Sequence, residues 1–532
     1  MRKIFILAAI SLFPAAMRGQ ALRDSVDNRL FSDISYDATL SGTVGGGDHS
    51  ALWLHSNRHG IASGETNSGY LRGGVFRPYS ADSLYQWRYG YGADIAVAAN
   101  HASTLIIQQL YADIAWKKGL LTIGSKEQPL EMKDGRFSSG GLTHGINARP
   151  VPQVRLELKD WWTIPYTKGW LQLKGHIAYG MMTDKNWQHE FTHRTHRYTD
   201  NAFFHSKAGY LRIQNDDYDY PLSFEAGLQM ACQFGGTTYT PNNEGGMNKI
   251  KNSKGFSAFW HAFVPGGGEV QEQGTAFENT EGNNLGSYLF RLNCNKKYWR
   301  GAIYFEKYFE DQSGMFQLDY DGYGSGENWN SKSRRKYLLY DFKDMLLGLE
   351  YEQKDGTWFR NLVVEYLYTK YQSGPVYHDH NKGRSDHIGG NDNYYNHHIY
   401  PGWEHWGEAI GNPLFYSPIF NENGEVSFMN NRFMAFHIGI GGQPTKEISY
   451  RLLGTWEEGL GTYRKPFSQK EHQLNFLAEG TYQPLNPKLH GWSATVGVGL
   501  DIGDIIGDNF GLNVAVRKQG LLTGGKRRKA RK

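Results

Sequence analysis

From Leu222 to Phe234 the chain reads LSFEAGLQMACQF. Leu222, Phe224, Ala226, Leu228, Met230, Cys232 and Phe234 fall on one side of an extended chain; Ser223, Glu225, Gly227, Gln229 and Gln233 fall on the other. Successive side chains of a strand point to opposite faces, so this stretch has one greasy face and one wet face. An ordinary soluble strand is only about five or six residues long. A strand that crosses a bilayer in a barrel needs roughly nine to eleven, apolar toward lipid and polar toward the lumen. The length of alternation selects the second.

The pattern recurs in pairs. Trp492 to Ile502 alternates and is followed, after a DIIGDN turn, by Phe510 to Arg517. Gln86–Ala99 matches Leu105–Lys117, Leu171–Met181 stands next, and Ser287–Asn295 matches Lys297–Lys307. Met345–Gln353 is expected to pair with Thr357–Lys370 across a tight Asp355-Gly356 turn, and Phe433–Gly441 with Ile448–Trp456. The whole chain holds some sixteen to twenty such segments, and single-chain bacterial barrels favour even numbers. Connections are unequal: several are short, while 183–205, 235–286, 310–341 and 373–430 run long. Short turns at one end and long loops at the other mark an outer-membrane barrel, with recognition carried by the outer loops.

The first residues, MRKIFILAAISLFPAAMRGQ, have the parts of an export signal: Arg2 and Lys3, an apolar run from Ile4 to Ala16, then small residues. The expected layout is a signal over 1–19, one barrel domain over 20–520 and a basic tail over 521–532, with the outer membrane as destination. Mean hydropathy is −0.60, which does not exclude a barrel, because alternation hides the apolar half. Gly, at 65 of 532 residues, and aromatics, at 14%, suit tight turns and interfacial girdles. A net charge of +4 implies no particular partner, and the GKRRKARK terminus reads as a solvated tail and not a nucleic-acid site. Cys232 lies on the apolar face of its strand and reads as a small hydrophobe facing lipid or core.

Three stretches carry a family resemblance: Lys126–Arg155 (KEQPLEMKDGRFSSGGLTHGINARPVPQVR), Trp161–Gln188, and Gly389–Phe415 (GGNDNYYNHHIYPGWEHWGEAIGNPLF). The chain resembles the Wzi-type capsule assembly family of outer-membrane proteins, in the form found in Bacteroides-like bacteria. GINARPVPQ at Gly145–Gln153 is the most specific motif. The resemblance implies an all-β, transmembrane antiparallel barrel of about eighteen strands, lectin-like and not an enzyme, whose outer face binds capsular polysaccharide and helps attach it. The basic terminus departs from the terminal aromatic residue that closes many such barrels.

Candidate binding residues follow from chemistry. Tyr394, Tyr395, Tyr400, Trp403 and Trp406 crowd the 373–430 loop among Asp, Asn and His. Sugars present C–H faces and hydroxyls, so aromatic platforms beside amides suit a glycan, although the same rings can pack the loop's own core. Asn147 and Arg149 sit where a loop meets a strand; Arg149 is expected either to clamp the loop, with Glu157 as a partner, or to grip an acidic sugar. Histidines at 378, 380, 387, 397, 398 and 405, and at 189, 193, 196 and 205, lack a defined ligand spacing, so no metal or cofactor is expected. No nucleophile elbow, P-loop or His-Glu-x-x-His is present. The expected partners are surface polysaccharide and outer-membrane lipid, with the chain a monomer. A porin or glycan-export channel, and a barrel hydrolase, are the competing readings.

Overall fold

The computed structural model describes residues 30–523 apart from 216–219, 266–281, 312, 334, 379 and 386–387. The expected signal, the tail beyond Thr523, and His387 lie outside the described residues. The first six barrel strands are β1 (Ile34–Gly46), β2 (Ser68–Arg77), β3 (Trp87–Ala99), β4 (Leu105–Trp116), β5 (Gly119–Ser125) and β6 (Gln153–Thr163). The next are β7 (Leu171–Met181), β8 (Phe203–Ile213), β9 (Leu222–Phe234), β10 (Asn283–Asn295), β11 (Trp299–Glu310) and β12 (Met345–Gln353). The last are β13 (Asn361–Tyr368), β14 (Phe433–Gly442), β15 (Ile448–Gly461), β16 (Pro466–Tyr482), β17 (Trp492–Gly503) and β18 (Asn509–Thr523). Each pairs antiparallel with its sequence neighbours, as Leu222↔Cys294 and Phe224↔Ile213 illustrate for β9. β18 returns to β1, with Gly46 opposite Phe510, so the eighteen-stranded sheet has no free edge. A closed sheet satisfies every ladder group, the condition for strands to cross a bilayer.

The alternation read at Leu222–Phe234 sorts as expected. Leu222 and Phe224 are exposed on the outer face, whereas Glu225 and Gln229 are buried in the lumen. Trp87, Trp116, Trp170, Trp299, Trp358 and Trp492 are exposed at the short-turn end, forming an aromatic girdle at one membrane interface. The β12–β13 connection differs from the tight turn expected of Asp355-Gly356: β13 begins only at Asn361. Gly356 does not take the positive φ that a two-residue I′ turn requires. The residues that lengthen the turn include Trp358 and Phe359, both exposed at the girdle.

The lumen is filled. Three outer segments, 47–67, 126–152 and the 393–432 part of a longer connection, fold down into it and share one apolar core. The first carries the short helix α1 (Leu52–His55), all four of whose residues are buried. Leu52 N–H donates to Asp501 of β17 at 2.9 Å, and Trp53 Nε1 donates to Thr455 of β15 at 3.1 Å. The second is held by wall carboxylates. Asp134 N–H donates to Glu350 at 2.8 Å, Ser138 Oγ and Ser139 N–H each donate to Glu365 at 2.7 Å, and Leu142 N–H donates to Glu306 at 2.9 Å. Lys133 pairs with Glu306, and Lys174 with Glu131 at 2.6 Å. These inward charges are thus committed to holding a plug.

Among the described residues, two further α-helices lie in the outer loops: α2 (Trp187–Phe191) and α3 (Phe256–Phe263). α3 lies against the outside of the barrel, with Ala258 and Ala262 packed on Cys232 and Phe234, and Phe259 against Tyr179 and Phe203. Cys232 therefore faces outward but is covered by protein. Lys207, also outward on β8, donates through Nζ to the Phe263 carbonyl at the end of α3.

Candidate functional site

The aromatic residues singled out from sequence sit inside the plug. Tyr394, Tyr395 and Trp403 are fully buried and Tyr400 nearly so. Each polar tip joins separate segments. Tyr394 Oη donates to Asp344 at 3.0 Å, Trp403 Nε1 to the Thr143 carbonyl at 3.0 Å, and Tyr400 Oη to the Gly235 carbonyl at 3.0 Å. Tyr395 Oη donates to the Leu142 carbonyl and accepts from Asn412 N–H at 3.0 Å. A ring with both faces packed offers no platform to a sugar in this conformation, so these rings are joints of the plug. Tyr395 and Trp406 hold φ of +66° and +59°, a strained backbone that only dense surroundings maintain.

Asn147 and Arg149 belong to the same assembly. Asn147 accepts from Asn57 N–H at 3.0 Å and donates to Glu408 at 3.1 Å, joining all three plug segments. Arg149 lays its guanidinium over Trp406, 4.5 Å from the ring centre, and donates from Nε to the Gly60 carbonyl at 3.2 Å. The clamp reading holds; the expected partner does not, because Glu157 is taken by Arg155 at 2.7 Å. Trp406 alone of the seven candidates is partly exposed. Burial raises Glu404 to about 8 and Glu408 to about 7, and lowers His405 to about 4.

Above the plug, at the long-loop end, opens a crater of about 1000 Å³. Its walls come from the long outer loops expected to carry recognition, and from the 462–465 turn. Its hydrogen-bonding groups include Asn391, Asn393 and Asn396, carboxylates at Asp319, Asp392 and Glu425, and cations at Arg197, Arg464 and Lys465. Asp392 is held well above the usual carboxylate range by burial first and then by the charges of Glu310 and Asp311. Its Oδ2 has no hydrogen-bond partner among the described residues. His398 is lowered to about 4 by burial, so it is a neutral ring at physiological pH. Phe428, beneath, is fully buried. Sequence reading found the loops and their histidines but not the Asn, Asp, Glu, Arg and Lys residues of the crater, because single polar positions in polar loops carry no periodic signal.

The closed sheet, lipid-facing apolar belt and interfacial girdle define an outer-membrane β-barrel. Solved structures of similar fold are known. The Escherichia coli protein Wzi, described as an outer-membrane protein involved in group 1 capsule assembly and a carbohydrate-binding β-barrel, is similar with a TM-score of 0.51 at 12% identity. That match covers 93% of this chain and 86% of the other. OccAB4 of Acinetobacter baumannii is similar with a TM-score of 0.44 at 10% identity, covering 93% of this chain and 99% of that one. OprD of Pseudomonas aeruginosa gives 0.43 at 8% identity, covering 93% and 96%. No protein-family model and no curated protein sequence matches the chain. At these identities the likeness is one of fold.

Proposed function

We propose that this barrel binds capsular or other surface polysaccharide at its outer end and helps hold it on the cell, without catalysing a reaction. The observation that carries the reading is the crater: a hydrogen-bonding hollow of about 1000 Å³, built from long outer loops over a filled lumen. That volume is at the upper end of ligand sites, and amides, carboxylates and cations are the groups that pair with sugar hydroxyls and acidic substituents. Binding would rest on many weak contacts repeated along a polymer, so that tethering needs no tight single site. Wzi, similar in fold, is described as carbohydrate-binding, in keeping with this reading. A porin or export channel needs a continuous aqueous path; the apolar core shared by the plug segments favours the binding reading over that alternative.

The test is binding of purified surface polysaccharide to the detergent-solubilised protein and to the double variant Arg464→Glu/Lys465→Glu. Both residues are solvent-exposed in the 462–465 turn, so the fold is expected to survive their replacement. Loss of binding by about tenfold, roughly 1.4 kcal/mol, is expected. Equal binding by the two proteins would remove the crater from the account.

A further inference from the structure

At the opposite end of the barrel the plug and the wall border a second, open hollow of about 420 Å³. It lies among the short turns: Arg360 belongs to the β12–β13 connection, Gln443 to the β14–β15 turn, and Arg451 to the start of β15. Arg58 and Arg136 reach it from plug segments 47–67 and 126–152. The lining therefore holds Arg58, Arg136, Arg360 and Arg451 against Glu352 and Glu479, an excess of two positive charges (four minus two).

These guanidiniums are unevenly satisfied. Glu479 is shared by Arg58 at 2.6 Å and Arg451 at 3.2 Å. Glu352 is engaged by Arg300 at 2.7 Å, leaving Arg360 at 3.5 Å. Arg136 stands 69% exposed, with Asp134 at 3.4 Å. The Nε donors of Arg58 and Arg451 are buried without a partner among the described residues. A buried donor left unmade is costly, and like charges gathered in a hollow repel; one anion offsets both. Guanidinium forks match the paired oxygens of phosphate and carboxylate, and Ser449 and Thr481 add neutral donors in the same lining.

We propose that this inner hollow is a binding site for a compact oxyanion, a phosphate or a sugar carboxylate, entering from the periplasmic side and bridging the plug arginines Arg58 and Arg136 to the wall arginines Arg360 and Arg451. The site is separate from the outer crater and stands whether or not the crater binds polysaccharide. An anion held by both parts stabilises the plugged state by mass action.

The test uses the full chain in non-ionic detergent. Inorganic phosphate and glucuronate are titrated separately by calorimetry, with chloride at matched ionic strength as the control. Saturable binding of either anion is expected; phosphate alone marks a phosphate site, and glucuronate binding marks one open to acidic sugar. Arg136→Gln/Arg360→Gln, which changes the two least committed guanidiniums, is expected to weaken binding at least tenfold. Glu352→Gln, which removes a competing carboxylate, is expected to tighten it. A chloride titration that matches phosphate, or unchanged affinity in both variants, overturns the site.

Discussion

Trp403 shows how one side chain serves a structure that its sequence context leaves undecided. An aromatic ring with a polar tip suits a sugar platform and a buried joint equally, since both need an apolar face and one hydrogen bond. Sequence shows the ring and its polar neighbours; only the descent of the loop into the lumen shows that Thr143 receives the indole N–H. Trp403→Ala is expected to cost about 3–5 kcal/mol of plug stability, the usual range for a fully buried large aromatic, read by denaturant unfolding. Gly411→Ala is a second test: a Cβ there would lie 2.0 Å from Tyr395 Oη and 2.4 Å from the Leu142 carbonyl, and the Leu142 contact is backbone that cannot swing aside. Overpacking of this kind costs about 1–3 kcal/mol or more, and the same unfolding measurement reads it. The buried ionisable groups of the plug predict a pH optimum. Glu404 and Glu408, raised from 4.5 to about 8 and about 7, keep protons that the unfolded chain releases, so their contribution is full below pH 4.5 and is lost as pH rises through 7 to 8. His405 and His398, lowered from 6.5 to about 4, act in the opposite sense: their contribution is full above pH 6.5 and is lost as pH falls toward 4. Thermal unfolding is expected to show a plateau of greatest plug stability between about pH 4.5 and 6.5, where the two opposing slopes cancel, with losses on both sides. A flat profile from pH 4 to 9 would contradict the burial of these groups.

At the level of elements, the strands were legible and their covers were not. Leu171–Met181 and Met345–Gln353 begin and end as the alternation predicts, because an apolar-out, polar-in face is written into every residue of a lipid-facing strand. The three plug segments lack such a period. ALWLH at 51–55 is a short apolar run in a Gly-rich loop, a weak signal for the buried helix α1. The cover on Cys232 was equally hidden: its strand marks it as outward, and nothing local says that α3 returns from later in the chain to pack over it. The packing gives a direct test in a Cys294→Ser background. Ala262→Glu places a charge in the α3–barrel contact and is expected to speed labelling of Cys232 by a small maleimide at least tenfold. A wild-type thiol that already labels rapidly would contradict the packing. Lys207→Ala, which removes the donor to the Phe263 carbonyl, is expected to produce a smaller acceleration in the same assay.

For the whole molecule, closure and filling of the barrel follow from one set of side chains. The inward carboxylates Glu306, Glu350 and Glu365 satisfy barrel geometry by facing away from lipid, and plug assembly by accepting from 133–142. Deleting 373–430 would remove part of the shared core along with outer loop surface, so loss of function in that deletion would not locate a binding site. Exposed crater substitutions separate the two. The most direct measurement is therefore capsule retention: cell-bound against shed polysaccharide in a deletion strain carrying either the intact gene or Arg464→Glu/Lys465→Glu, each checked for equal folded protein in the outer membrane. The intact gene is expected to restore cell-bound polymer, while the double variant is expected to leave polymer made but shed into the medium. Full retention with the double variant, or with the gene absent, would contradict it.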